Sequence, residues 1–104
     1  MSPSFDANQD AIFAGSVSVS SIGDGFRVAE GSNARMGIST LSGGTVTVTN
    51  NTVTANTRIF MSRQTTGGVT GQLSCTRVAN TSFTINSSSA LDTSTVCWEL
   101  KEPA

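Results

Sequence analysis

Few side chains in this 104-residue sequence could do acid–base or nucleophilic chemistry. It contains no His and no Tyr, which excludes Ser-His-Asp triads, Cys–His pairs and His-ligated metal sites. Glu30, Asp92 and Glu99 would act as a hydrolytic acid–base pair only if the fold brought them together, and no motif supports that chemistry. Asp92 is better placed to cap the loop before the last strand through its side-chain oxygens. We therefore predict no enzyme activity, no catalytic residue, no metal site and no cofactor, and keep a small hydrolase only as a third hypothesis.

The composition describes a single, weakly charged domain. Charged residues make up 12% of the chain and the net charge is −1, so a nucleic-acid partner is not expected. No run of 18 apolar residues exists, and the polar, acidic start is unlike an export signal, so neither membrane insertion nor export is expected. Residues 1–10 show no periodicity and are predicted to be a flexible tail or the stub of a longer polypeptide chain. Residues 11–104 are predicted to form one domain.

Alternation of apolar and polar residues recurs along the chain, while helical spacing is absent. Ser, Thr, Gly and Asn together account for nearly half of the residues, which is typical of strands and turns. The pattern predicts an all-β fold, an antiparallel β-sandwich with a jelly roll as the close alternative. About eight short strands are expected, at 11–21, 26–28, 35–41, 45–49, 57–63, 72–78, 82–86 and 95–100. Gly43 and Gly44 are expected to join two of them in a hairpin.

The same alternation predicts which way side chains point. Met36 and Ile38 are expected to face the core. Val96, Trp98 and Leu100 share a face and should anchor the last strand in the core. Cys97 alternates with these three residues, so its side chain is expected to point outward. Cys75 shares its face with Leu73 and is expected to point inward. A disulfide needs two thiols that are close and directed at each other, which an outward-facing and an inward-facing cysteine do not provide. Both cysteines are therefore expected to be free.

The strand at 57–63 has apolar side chains on both faces. Ile59 and Met61 lie on one face, whereas Phe60 shares the other with Arg58. Such a strand has more apolar surface than one small sandwich covers, and Arg is favoured at interfaces. Arg58 and Phe60 are therefore the candidate subunit interface.

Three segments together resemble the carboxy-terminal domain of tail fibres, tailspikes and other structural proteins of tailed bacteriophages. They are Glu30-Gly31-Ser32-Asn33-Ala34-Arg35-Met36-Gly37, then Thr54-Ala55-Asn56-Thr57-Arg58-Ile59-Phe60-Met61, then Thr81-Ser82-Phe83-Thr84-Ile85 with Asp92-Thr93-Ser94-Thr95-Val96 and Glu102-Pro103-Ala104. The resemblance covers roughly residues 23–104. It implies a compact β module of a virion protein, usually trimeric and without an activity of its own, assembled in the reducing cytoplasm of the bacterial host.

Two functional hypotheses follow. The first is a homotrimeric tip of a phage tail fibre or tailspike that registers the fibre chains, with contact to a host surface glycan left open. The alternative is a carbohydrate-binding module of a secreted bacterial protein. Under either hypothesis the candidate receptor contacts are Gln64, Asn80 and Asn86. The mass in solution separates the two hypotheses, because a lone sugar-binding module is normally monomeric.

Overall fold

The structure, a computed structural model, describes Ser4–Phe5 and residues 11–104. The described chain is all-β and antiparallel, with no helix. Its strands are β1 (Ser4–Phe5), β2 (Ala11–Ile12), β3 (Met36–Thr40), β4 (Thr45–Thr49), β5 (Arg58–Thr65), β6 (Leu73–Val78), β7 (Ser82–Ser87) and β8 (Thr95–Lys101). The predicted β-sandwich is confirmed. In the part of the chain that the structure describes, no helix is long and apolar enough to cross a membrane.

Two three-stranded sheets form the sandwich. Strand β8 lies between β3 and β5 in the first sheet, and β7 lies between β4 and β6 in the second. A separate two-stranded ladder joins β1 to β2. The first strand of the sandwich, β3, therefore begins only at Met36, after a long irregular segment.

The core lies between the two sheets and is built from alternate residues of their strands. Trp98 of the first sheet meets Phe83 of the second edge to face, with 4.9 Å between ring centroids. The indole N–H of Trp98 donates to Ser39 Oγ at 3.1 Å, so its one polar group is satisfied. The remaining buried apolar side chains are aliphatic: Leu41, Val53, Ile85, Val96 and Leu100. The prediction that Val96, Trp98 and Leu100 anchor the last strand is confirmed.

The segment before the sandwich differs from the prediction. Only Ala11 and Ile12 of the expected strand at 11–21 are in a strand, and residues 26–28 form none. Of the predicted tail at 1–10, Ser4–Phe5 pairs with Ala11–Ile12, and the other residues lie outside those that the structure describes. The alternation of Val17 and Val19 is present, but neither sheet offers these residues a neighbouring strand, and both are exposed.

The expected hairpin at Gly43 and Gly44 is also wrong. Strand β3 pairs with β8 and β4 pairs with β7, so the turn carries the chain from one sheet to the other. Ser42 and Thr45 form only an isolated bridge. Gly44 has a φ of 80°, and a Cβ there would lie 2.3 Å from Ser89 O, so this crossing needs glycine. The strands predicted at 72–78 and 82–86 do form a hairpin, between β6 and β7.

The orientation predicted for β3 is inverted. Met36 and Ile38 point away from the core and are exposed, while Gly37 is buried and faces it. A side chain at residue 37 would collide with the indole of Trp98, so the strand presents its only residue without a Cβ to that ring. The apolar side chains of β3 consequently lie on the outer face of the sheet.

The two cysteines lie in different sheets and are free. Cys75 is opposite the buried Ile85, so it turns toward the core as predicted. Cys97 alternates with Val96 and Trp98 and turns outward, also as predicted. Its thiol lies 3.3 Å from Ser62 O.

Candidate subunit interface

The outer face of the first sheet carries the most concentrated apolar surface on the sandwich. The strand register determines which side chains are neighbours on this face. Met36 and Phe60 lie on either side of Glu99, and Ile38 lies beside Cys97. Residues directly opposite in antiparallel strands share a face. We define the outer face by the residues Met36, Ile38, Phe60, Ser62, Gln64, Cys97 and Glu99.

Three large apolar side chains are exposed on this face. Phe60 is 56% exposed, Ile38 48% and Met36 37%. Glu30 lies at the rim, and together these residues line a shallow depression of about 270 Å³. Single exposed apolar residues are ordinary, but neighbours on adjacent strands form a patch of the kind used in association.

Polar groups frame the patch. Lys101 Nζ lies 3.5 Å from Glu99 Oε1 and 5.8 Å from the centroid of the Phe60 ring. Arg58, opposite Lys101 in the register, donates from Nη1 to Asn56 O at 2.6 Å and is otherwise exposed. An apolar centre with a charged rim is the anatomy of a protein–protein interface.

The structure thus places the predicted interface residues Arg58 and Phe60 on one face, separate from the core-facing Ile59 and Met61. The sequence prediction missed Met36 and Ile38, which join Phe60 there. The signal in the sequence was Gly37, between two apolar residues. A glycine inside a strand often marks the side on which another group packs closely against the backbone.

The predicted receptor contacts do not form one cluster. Gln64 is exposed on β5 of the first sheet, whereas the other two belong to the second. Asn80 has a φ of 61° in the turn between β6 and β7. Asn86 lies at the other end of β7, where its Oδ1 accepts from Thr45 Oγ1 at 3.0 Å. Only Gln64 borders the depression.

The three carboxylates considered for hydrolysis do not all come together. Glu30 and Glu99 border the depression, but Asp92 is fully buried elsewhere. Within the described residues, no group of three or more Cys, Asp and Glu could hold a metal ion.

Asp92 is held by hydrogen bonds from four residues. Its Oδ2 accepts from Ser87 Oγ at 2.6 Å, Arg63 Nη2 at 2.7 Å and Gly71 N at 3.1 Å, and its Oδ1 accepts from Ser94 N at 3.0 Å. The hydrogen bonds from Ser87, and then those from Ser94, hold the pKa of Asp92 well below its usual range. The predicted loop cap is confirmed through Ser94, and the carboxylate also joins β5, β7 and the loop before β8.

A second carboxylate, Glu102, links the three segments of the family resemblance in space. Glu102 accepts hydrogen bonds from Thr57 Oγ1, from Thr54 Oγ1 at 2.8 Å and from Arg35 Nη2 at 3.0 Å. The Thr57 hydrogen bond first, and then Arg35, lower the pKa of Glu102 to about 2. Arg35 also donates to Thr52 O at 2.7 Å. These residues come from separate segments of the resemblance and fix the outer ends of β3, β5 and β8 relative to one another.

A family model described as the K1 capsule-specific polysaccharide lyase, C-terminal domain, matches residues 33–101. The chain belongs to this family. The match spans all six strands of the sandwich and omits the irregular segment before them. No curated protein matches the chain. Family membership supports, at a coarse level, the resemblance to C-terminal domains of phage tail proteins, and with it a place in the virion tail.

Proposed function

We propose that this domain is the non-catalytic, homotrimeric C-terminal tip of a phage tailspike or tail fibre, where it keeps the three chains in register. The observation that carries the proposal is the outer face of the first sheet. Phe60, Ile38 and Met36 are exposed side by side there, although the same chain buries its core side chains almost completely. Covering that face with copies of itself removes apolar surface from water.

The geometry of the first sheet supports this role. The C-terminal strand β8 is central in the sheet, and β3 and β5 flank it. Glu102 accepts hydrogen bonds from Arg35 and Thr57, and these bonds hold the three strands of the first sheet together at the C-terminal end of β8. A rigid apolar face is suited to association because little ordering is needed on binding.

The family name specifies a K1 capsule-specific polysaccharide lyase. Under our proposal the lyase chemistry belongs to another part of such a polypeptide, and this domain contributes assembly in the bacterial host cytoplasm.

Substitution of Phe60 tests the proposal. Phe60→Ala should destabilise the trimer by about 3–5 kcal/mol per site if the ring is fully buried between chains. The matched control is Val78→Ala, which removes a side chain that is 59% exposed on the outer face of the second sheet. Sedimentation velocity at several concentrations should show dissociation of the Phe60 variant alone. Equal behaviour of the two variants would contradict the proposal.

A further inference from the structure

Residues 13–30, which we call the arm, precede the sandwich and expose an unusual number of apolar side chains. Ile22 is fully exposed and Phe26 is 78% exposed. The other apolar side chains that the arm exposes are Phe13, Val17, Val19 and Val28. A solvated arm is normally polar, so these side chains indicate a surface that the arm covers.

The local pattern of the arm is that of a strand with one apolar side. Val17 and Val19 alternate with Ser16, Ser18 and Ser20, which puts both valines on one side of an extended chain. Among the described residues, this segment pairs with no strand. The pattern therefore fits a surface outside its own chain.

The exposed apolar area sets the size of the contact. The six arm side chains and the three on the outer face leave on the order of 900 Å² of apolar surface exposed per chain. An interface that pairs the arm of one chain with the outer face of another buries that area as the sum over both partners, below the ~1,200–2,000 Å² of a standard interface. Three such contacts close a ring of three chains, which together bury on the order of 2,700 Å².

Reach and charge are consistent with a second copy as the occupant. Thirteen residues separate Val17 from Glu30 at the rim of the outer face, and such a stretch spans up to about 45 Å when extended. Asp24 of the arm and Arg58 beside the outer face form no ion pair within residues 11–104. With Asp24, Arg27 and Glu30 the arm has a net charge of −1, and it meets a face whose rim has an uncompensated arginine.

We propose that the arm of one chain packs through Val17, Val19 and Phe26 on the outer face of the first sheet of a neighbouring copy. This inference rests on the proposed homotrimer and names the segment that completes its interface. Each chain then gives an arm to one neighbour and receives an arm from the other, which is a closed, cyclic arrangement.

Disulfide cross-linking uses Cys97, which lies in the outer face, as the reporter. In a Cys75→Ser background, Val17→Cys, Val19→Cys and Phe26→Cys are made singly and oxidised with diamide. At least one variant should give chains linked to each other through Cys97, as seen without reductant on a denaturing gel and by peptide mapping. The control, Leu91→Cys in the same background, exposes a cysteine outside the arm and should give no Cys97 cross-link. The absence of any arm–Cys97 bond in all three variants would overturn the inference.

A second measurement separates failure of the arm from failure of the trimer. The triple variant Val17→Ser, Val19→Ser, Phe26→Ser should dissociate, and alkylation of Cys97 should become at least about tenfold faster than in the wild type. The double variant Val78→Ser, Leu91→Ser is the control and should behave as the wild type. A triple variant that stays trimeric with Cys97 protected overturns the arm but leaves the trimer. A wild type that is monomeric overturns both. Circular dichroism confirms that each variant is folded.

Discussion

Gly37 of β3 lies directly against the indole of Trp98 of β8, so closely that a Cβ on Gly37 would fall 2.6 Å from Trp98 Cζ2. The two residues are also register partners in the first sheet. This contact places the glycine on the core side and so turns Met36 and Ile38 outward. The apolar outer face on which the proposed function depends is therefore a consequence of how Trp98 is packed.

Replacing Gly37 by alanine should destabilise the fold. The added methyl group overlaps a large, buried ring that has little room to move, and overpacking of this kind costs about 1–3 kcal/mol. Urea unfolding measures the free energy difference. Gly25→Ala is the control, since a Cβ there meets nothing within 4 Å. A Gly37→Ala protein as stable as the Gly25→Ala protein would show that the contact is loose.

Stability should fall in acid because two carboxylates have lowered pKa values. The pKa of Glu102 falls from the ordinary 4.5 to about 2, so its ionised form is favoured by folding. That contribution is fully present above about pH 4.5 and is lost as the pH falls toward 2. Asp92 acts in the same direction.

Glu102→Gln isolates the contribution of one of these groups. Unfolding free energies measured between pH 7 and pH 2.5 should show the wild type more stable than the variant at neutral pH. The gap should narrow steadily below about pH 4.5. A gap that does not change with pH would mean that the Glu102 charge does not contribute to stability.

Two free thiols per chain are expected. Cys97 lies on the outer face of the first sheet, whereas Cys75 belongs to the second sheet and turns toward the core. Thiol titration of denatured, unreduced protein should find two per chain, the same count as in a reduced sample. A count of zero would mean that the strand orientations described above are wrong.

The domain alone should not degrade polysaccharide. The chain has no His or Tyr to act as general base or acid, and Asp92 is buried apart from Glu30 and Glu99, which border the depression. Incubation with bacterial capsular polysaccharide should release neither new reducing ends nor unsaturated sugars. Turnover that is lost in Glu30→Gln or Glu99→Gln would contradict this expectation.

The sequence predicted the sandwich well where alternation and core burial act together. Strands β4 to β8 were located within two residues, and Val96, Trp98 and Leu100 were placed in the core. Prediction failed for residues 11–28, where alternation is present but the sheets of the same chain offer no partner. Pairing between distant strands is not encoded in local pattern, which is also why Gly43 and Gly44 were taken for a hairpin.

The candidate interface was only half predicted. The placement of Arg58 and Phe60 on one face could be predicted from alternation within a single strand, because β5 has apolar residues on both faces. Met36 and Ile38 were assigned to the core because apolar side chains usually are, and the sequence alone does not show that Trp98 fills the space beside Gly37. The hydrogen-bonding partners of Asp92 and Glu102 come from segments distant in sequence, so they were outside the reach of local reasoning.

The mass of the unmodified chain in solution tests the central claim most directly. Sedimentation equilibrium at micromolar concentration should give three times the 10.7 kDa mass of one chain. A mass of 10.7 kDa that does not change with concentration would contradict the proposed trimer and would favour a monomeric carbohydrate-binding module.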